Sequence, residues 1–365
     1  MENIPSRDHT TMKMEPVLAS SSPVNSTEMV DSFYSQFSPS LLHNTSDQPC
    51  QFIVSSRFIS HFIPVIHSII FLLGFIENSM VITVLCHRIH LKTVVNIYII
   101  NLSIVDLLLL STLPLWAVYY ATGQNWLFGA VMCKICSSLV SLNLYCSGFF
   151  VMCMSIDCYL VILHPTDSQT KRSLCQAHCV AILVWVLALI ATFPTIYFQG
   201  PLYAKWLEST ICTMIYPSSK ASHWSLAMSL MENTLGFFIP FTVIGTCFGA
   251  FVCHLMRMEV SEKNSCIRSK ALWMVAAVVL AFFICWLPFQ VLVFTNALLK
   301  LNFFSDCQIT TIIGTAMPFS ICLGFANSCI NPLIYCFLGD HFRMKLSDMT
   351  RRGSATLYNR RSSTT

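Results

Sequence analysis

Seven long apolar runs decide what this chain can fold into. They fall at about residues 60–86, 95–121, 130–164, 174–198, 223–256, 265–299 and 308–337. Each reaches the roughly 20 residues a helix needs to cross the hydrocarbon core of a bilayer. Charged residues make up only 10% of the 365, and hydrophobic ones 55%. A soluble domain carries about a quarter charged residues, so the polar surface for a soluble protein of this size is missing. No ten-residue alternating pattern punctuated by turn residues appears, which argues against a β-barrel. The expected fold is an all-α membrane protein, a bundle of seven transmembrane helices.

Charge placement orients the bundle. Residues 1–57 are polar and rich in Ser, Thr and Pro, and 339–365 are polar and basic. No basic stretch followed by an apolar core opens the chain, so no cleaved signal peptide is expected. With residues 1–57 outside, 14 Lys and Arg fall on the cytoplasmic side and 7 outside. That is the direction the positive-inside rule requires. The net charge of +4 therefore reads as topology and not as nucleic-acid binding. Asn25-Ser26-Thr27 and Asn44-Thr45-Ser46 are glycosylation acceptors that only an extracellular N-terminus would use. Asn101-Leu102-Ser103 matches the same pattern inside an apolar run and is discounted. The expected organisation is a disordered, glycosylated extracellular segment (1–57), the bundle (58–338), and a cytoplasmic tail (339–365).

Most of the 18 cysteines lie in apolar runs, where Cys behaves as a small hydrophobe. Cys50, Cys133, Cys212 and Cys307 fall at the expected outer face, an oxidising setting in which cysteines pair. Spacing alone allows three connectivities. No pair of CxxC motifs stands at zinc spacing, so no metal site of that kind is expected. GxSxG, HExxH and phosphate-loop motifs are absent, which argues against an enzyme. A transporter would show internal repeats and interrupted helix pairs, and neither is present.

Polar residues inside the runs are few and therefore informative, because ionisable groups in hydrocarbon are costly. Asp106 lies mid-run in the second. Asn143 and Ser147, four apart in the third, share a helix face. Asn78, Asn327 and Asn331 lie in the first and seventh. Two readings stand: a site for a small hydrated cation such as sodium on Asp106, Asn143 and Ser147, or a hydrogen-bonded cluster that glues helices. Glu232, near the outer end of run five, reads either as a pocket carboxylate for a cationic ligand group or as a solvated helix end. Trp116, Tyr119, Tyr120, Trp286, Phe289 and Gln290 cluster in the outer halves of runs two and six, as interface anchors or as the wall of a ligand pocket.

At the inner end of run seven stands Asn331-Pro332-Leu333-Ile334-Tyr335. Proline removes a helix hydrogen bond, which hydrocarbon tolerates only where neighbours re-satisfy the freed carbonyl. With Asn78, Asp106, Asp157-Cys158-Tyr159, Trp185, Pro240 and Cys285-Trp286-Leu287-Pro288, this bend falls in the run-by-run order of class A (rhodopsin-like) G-protein-coupled receptors, which the chain resembles over about 58–346. Thr112-Leu113-Pro114-Leu115-Trp116, Trp126-Leu127-Phe128-Gly129 and Leu323-Gly324-Phe325-Ala326-Asn327-Ser328-Cys329 are similar to the angiotensin group, nearest its type-2 branch.

The resemblance implies disulfides Cys133–Cys212 and Cys50–Cys307. It implies an extracellular peptide ligand packing on Trp116, Tyr120, Leu144, Glu232, Trp286, Phe289, Gln290 and Phe325. Activation residues would be Asp157, Cys158, Tyr159, Phe248, Trp286, Pro288, Asn331, Pro332 and Tyr335, which shift the sixth helix for a heterotrimeric G protein or arrestin-like partner. Beyond Tyr335, Phe342 and Leu346, flanked by Arg343 and Lys345, read as a short amphipathic helix lying on membrane lipids. Ser and Thr in the tail read as phosphorylation sites.

The chain also departs from the family. Cys158 stands where the family has the Arg of Asp-Arg-Tyr, and Phe248 where it has a Tyr. Cys makes none of a guanidinium's ion pairs, so both changes weaken coupling. Glu232 stands where the type-2 branch has a Lys that faces the peptide's C-terminal carboxylate. Asn296 and Gly314 align with acidic groups, and Gln199 with an Arg. One-sided loss of a buried charge pair costs about 3–5 kcal/mol. Three functions are therefore in view: a type-2-like receptor for angiotensin II or a related peptide, with weak or atypical signalling; a receptor for a different peptide carrying a cationic group; and a non-signalling decoy or scavenger.

Overall fold

The computed structural model describes residues 56–86, 93–163, 173–204, 208–257, 265–300 and 307–338. Asn25, Asn44, Cys50 and the tail beyond 338 lie outside the described residues, as does the side chain of Cys307. Within them the seven runs become seven spans. The first is α1 (Ser56–Val84), and the second is α2 (Val94–Leu110) continued by α3 (Leu113–Ala121). The third is α4 (Gly129–Leu163) and the fourth α5 (Leu174–Phe198). The fifth is α6 (Ala221–Asn233) and α7 (Ile239–Arg257), joined by one π turn over Thr234–Phe238. The sixth is α8 (Ser265–Lys300) and the seventh α9 (Cys307–Leu338). All seven are long and apolar enough to cross a membrane.

Prolines set the interruptions. Pro114, in the first turn of α3, has no N–H to continue the ladder, so the second span breaks before it. The hydroxyls of Ser111 and Thr112 then donate to the carbonyls of Leu108 and Leu109, each at 2.7 Å. In the fifth span Pro240 brings no N–H for the carbonyl of Gly236. There the backbone widens, and Ile239 N–H bonds the Thr234 carbonyl instead. In the seventh, Pro332 frees the Ser328 carbonyl, which accepts from Asn78 Nδ2 at 2.8 Å. The bend expected from sequence therefore has its polar partner, supplied by the first span.

The third span is the axis of the bundle, the most enclosed of the seven. It packs on the second, fourth, fifth and sixth. Tyr145, Phe150 and Met154 are buried along it. Close crossings use small residues, as membrane bundles do in the absence of a hydrophobic drive between helices. A Cβ on Gly148 would stand 3.2 Å from Pro240 and 3.4 Å from Phe282. One on Gly74 would meet Cys329 Sγ at 2.7 Å. Asn101 of the discounted acceptor pattern takes a hydrogen bond from Trp185 Nε1 at 2.9 Å, which ties the second span to the fourth. The outward faces stay apolar: Ile182, Leu183, Val186, Ile190 and Phe193 of the fourth span are exposed, as a lipid-facing surface requires.

An antiparallel hairpin covers the outer end. Its strands β1 (Gln199–Ala204) and β2 (Ser209–Met214) pair with Pro201 opposite Cys212. Cys212 is disulfide-bonded to Cys133 at the outer end of the third span, the first of the two expected bridges. Two further ties hold the hairpin. Trp126 N–H donates to the Thr210 carbonyl at 2.6 Å. Lys134 Nζ donates to the carbonyls of Ile196 and Tyr197 at 2.7 and 3.2 Å.

Candidate functional site

Two sites emerge, one at mid-membrane and one above it. The mid-membrane site is built on Asp106, fully buried in the second span. Its Oδ1 accepts from Asn143 Nδ2 of the third span at 2.8 Å and from Ser328 Oγ of the seventh at 2.7 Å. Asn331 Nδ2 reaches Oδ2 at 3.4 Å. A carboxylate out of water is stable only when its lone pairs are met by donors, and the third and seventh spans supply them.

Oxygen acceptors remain over. Asn143 Oδ1, Ser147 Oγ, Asn327 Oδ1 and Asn331 Oδ1 are buried without a hydrogen-bond partner among the described residues. Asn143 and Asn331 bond Asp106 through their amide nitrogens, so a carboxylate with their spare amide oxygens is a hard-donor set of the kind a small cation takes. The residues present therefore fit such an ion. They also form the helix glue that was the other reading. Ser147 makes no bond to Asp106, whereas Ser328, which sequence reasoning passed over, does. Its signal was position: Ser328 precedes Asn331 by one helical turn and so shares its face.

The upper site is a cavity of about 240 Å³ beneath the hairpin. Trp116 and Tyr120 of the second span, Glu232 of the fifth, Phe289 of the sixth and Phe325 of the seventh line it, five of the eight expected ligand residues. Leu144, Trp286 and Gln290 are buried but are not on its wall. Leu144 and Trp286 pack with Phe282 directly behind Phe289. Trp286 is 5.9 Å from Phe289, ring to ring, and lies against Gly324, where an added Cβ would come within 3.0 Å of the indole. A ligand touching Phe289 thus reaches Trp286 through one ring contact. Gln199 and Asn296 also line the cavity; Gly314 does not.

His67 of the first span was not foreseen. It lines the cavity between Tyr120 and Phe325, with ring centroids 5.7 and 5.5 Å away, and its Nε2 is 3.4 Å from Cys322 Sγ. A single His in an apolar run carries no sequence signal. Tyr216, at the hairpin's base, closes the wall near Glu232. Burial, with the Glu232 charge as the lesser contribution, pushes its hydroxyl above the usual tyrosine range, so it stays a neutral donor.

The inner-face residues lie far along the same spans. Tyr335 is buried, and its hydroxyl has no hydrogen-bond partner among the described residues. Phe248 and Cys158 are half-buried against the core cluster that contains Tyr335. Asp157 is buried and Tyr159 half-buried. Pro288 and Pro332 both stand inside their helices.

The chain matches the family described as 7 transmembrane receptor (rhodopsin family) over residues 77–335. It is 45% identical over 289 residues to the type-2 angiotensin II receptor of Homo sapiens, covering 79% of each chain. The same identity and length hold for the type-2 receptor of Rattus norvegicus, again 79% of each. Against the type-1 angiotensin II receptor of Gallus gallus it is 38% identical over 292 residues, 80% of this chain and 81% of the other.

The two serines near Asp106 should separate on mutation. Ser328→Ala removes a donor from a buried carboxylate and should cost about 1–3 kcal/mol, read as a lower Tm of the purified protein. Ser147→Ala, which removes no bond present among the described residues, should leave Tm nearly unchanged in sodium-free buffer.

Proposed function

Because the chain belongs to the rhodopsin family of seven-transmembrane receptors and to its angiotensin group, we propose that it is a cell-surface receptor for angiotensin II or a related peptide. It is a multi-pass membrane protein of a receptor family and not an enzyme. In this reading the N-terminus is outside, as the charge bias requires, and the peptide enters from that side. The observation that carries the reading is the cavity under the hairpin, walled by aromatics from three spans and backed by Trp286.

The mechanism is a population shift. The receptor interconverts between arrangements of the sixth span, and a ligand moves the balance only by its difference in affinity for them. Contact with Phe289 presses on Trp286, within one turn of the Pro288 interruption, where the helix is easiest to bend. Displacement of the sixth span would open the inner face to a G protein or arrestin-like partner. Asp106, Asn143 and Ser147 would hold a sodium ion in the resting arrangement, supplying positive charge beside the buried carboxylate.

Cys158 and Phe248 favour a second reading, in which the chain binds peptide and signals weakly or not at all. A thiol at 158 cannot supply the bidentate cation of an Arg. Phe248 has no hydroxyl to answer the unpartnered one of Tyr335.

Labelled angiotensin II should bind displaceably to cells expressing the receptor, with surface expression checked. Trp116→Ala and Phe289→Ala should each weaken binding by about tenfold or more, the loss of about 1.4 kcal/mol. No displaceable binding of angiotensin II or its C-terminal amide up to about 10 µM, equivalent to roughly 7 kcal/mol of binding energy, would reject the angiotensin reading. For coupling, Cys158→Arg should raise agonist-stimulated GTPγS binding in membranes several-fold. An unchanged response would mean that position 158 does not limit signalling.

A further inference from the structure

Glu232 is the only Asp, Glu, Lys or Arg on the described cavity wall. It makes no ion pair or hydrogen bond among the described residues. Among the described residues, the groups around it do not neutralise it. Ser229 and Ser225, one and two turns earlier on the same helix face, line the cavity beside it. Tyr216 and Tyr145 lie within electrostatic reach. These are neutral hydroxyls. They can satisfy lone pairs or accept from a cation, but they bring no opposite charge.

A carboxylate held away from bulk water without a counter-charge is costly. A bundle that keeps one on the wall of an open cavity leaves its partner to come from the ligand. We propose that this pole of the cavity is a cation subsite, which takes a primary ammonium or guanidinium group of the ligand against Glu232. The hydroxyls of Ser225, Ser229 and Tyr216 fill the remaining hydrogen bonds. An ammonium has three donors and a guanidinium five, so a carboxylate flanked by hydroxyl oxygens suits either. The aromatic wall of Trp116, Tyr120, Phe289 and Phe325 then takes an apolar body attached to that cation. The ligand group that enters this pole is thus a cation carrying an aromatic or aliphatic body, and a peptide would present a cationic side chain or its N-terminus here and keep its free carboxylate away from Glu232. The proposal rests on the cavity being the ligand site, and it narrows what that site selects.

Small probes test it without knowledge of the natural ligand. The Tm of the purified full-length receptor is measured with phenethylammonium chloride, with sodium 3-phenylpropionate and with neutral 2-phenylethanol at matched concentration and ionic strength. Wild type should gain about 2 °C or more from the ammonium and little from the other two, because binding to the folded state raises Tm by mass action. Glu232→Gln should abolish the difference between probes, and Glu232→Lys should turn the preference toward the carboxylate. Glu232→Gln also separates this site from the deeper carboxylate of Asp106, which it leaves intact. Equal stabilisation of wild type by cation and anion, no stabilisation by either, or an ammonium preference that survives Glu232→Gln would overturn the subsite. If displaceable angiotensin II binding persisted alongside such a result, the receptor reading would stand and only the cation selectivity would fall. If no angiotensin peptide bound but the probe pattern held, the reverse would be true.

Discussion

The arrangement depends first on how one buried carboxylate is satisfied. Asp106 draws Asn143 of the third span and Ser328 and Asn331 of the seventh to its two oxygens. Hydrogen bonds to a charged acceptor are worth about 1.5–3 kcal/mol each, and a stranded charge costs more than any one of them returns. The second, third and seventh spans are therefore held in register at one depth. Asn78 extends the tie to the first span through the Ser328 carbonyl that Pro332 leaves free. A proline that removes one bond and an asparagine that restores it in another helix are two halves of a single feature. The result is a joint: cohesive, yet free of the continuous backbone ladder that would make the seventh span rigid there.

Above this joint the bundle opens. The hairpin is pinned to the third span by Cys133–Cys212 and by Trp126 and Lys134, so it roofs the cavity while leaving the interior space between spans. The π turn forced by Pro240 lies two residues below Glu232. It offsets the helix faces above and below it, and Glu232, Ser229 and Ser225 face the cavity together. Ligand chemistry at the outer end and helix packing at mid-membrane are thereby coupled through few contacts: Phe289 on Trp286, Trp286 on Gly324, Leu144 and Phe282.

Much of this was legible in the sequence, and the reasons are physical. The spans were readable because hydrocarbon imposes one rule on every residue of a crossing helix. Asp106 with Asn143 was readable because a carboxylate in an apolar run must find donors. The aromatic wall of Trp116, Tyr120, Phe289 and Phe325 and the disulfide to Cys212 came with the family resemblance. What escaped depends on three-dimensional neighbours without a one-dimensional mark. Ser328 looks like any small residue of a helix interface, and His67 like an isolated polar residue in an apolar run. Trp286 and Phe289 are three apart on one helix, and only the packing of Gly324 and Leu144 sets the first behind the wall and the second on it. A π turn follows from Pro240 acting on a particular backbone, which the sequence does not spell out.

The claim that binds these parts together is that occupancy of the outer cavity moves the inner end of the sixth span. The most direct measurement is a distance between a spectroscopic probe at position 273, exposed at the inner end of the sixth span, and one at position 174, exposed at the inner end of the fourth. Both would be introduced as unnatural residues, since the 18 cysteines rule out thiol labelling. Saturating angiotensin II should shift the distance distribution outward in the purified receptor, and a Trp286→Ala variant that still binds should lose the shift. A distribution that stays unchanged while the peptide is demonstrably bound would contradict the account and describe a protein that captures its ligand without transmitting it.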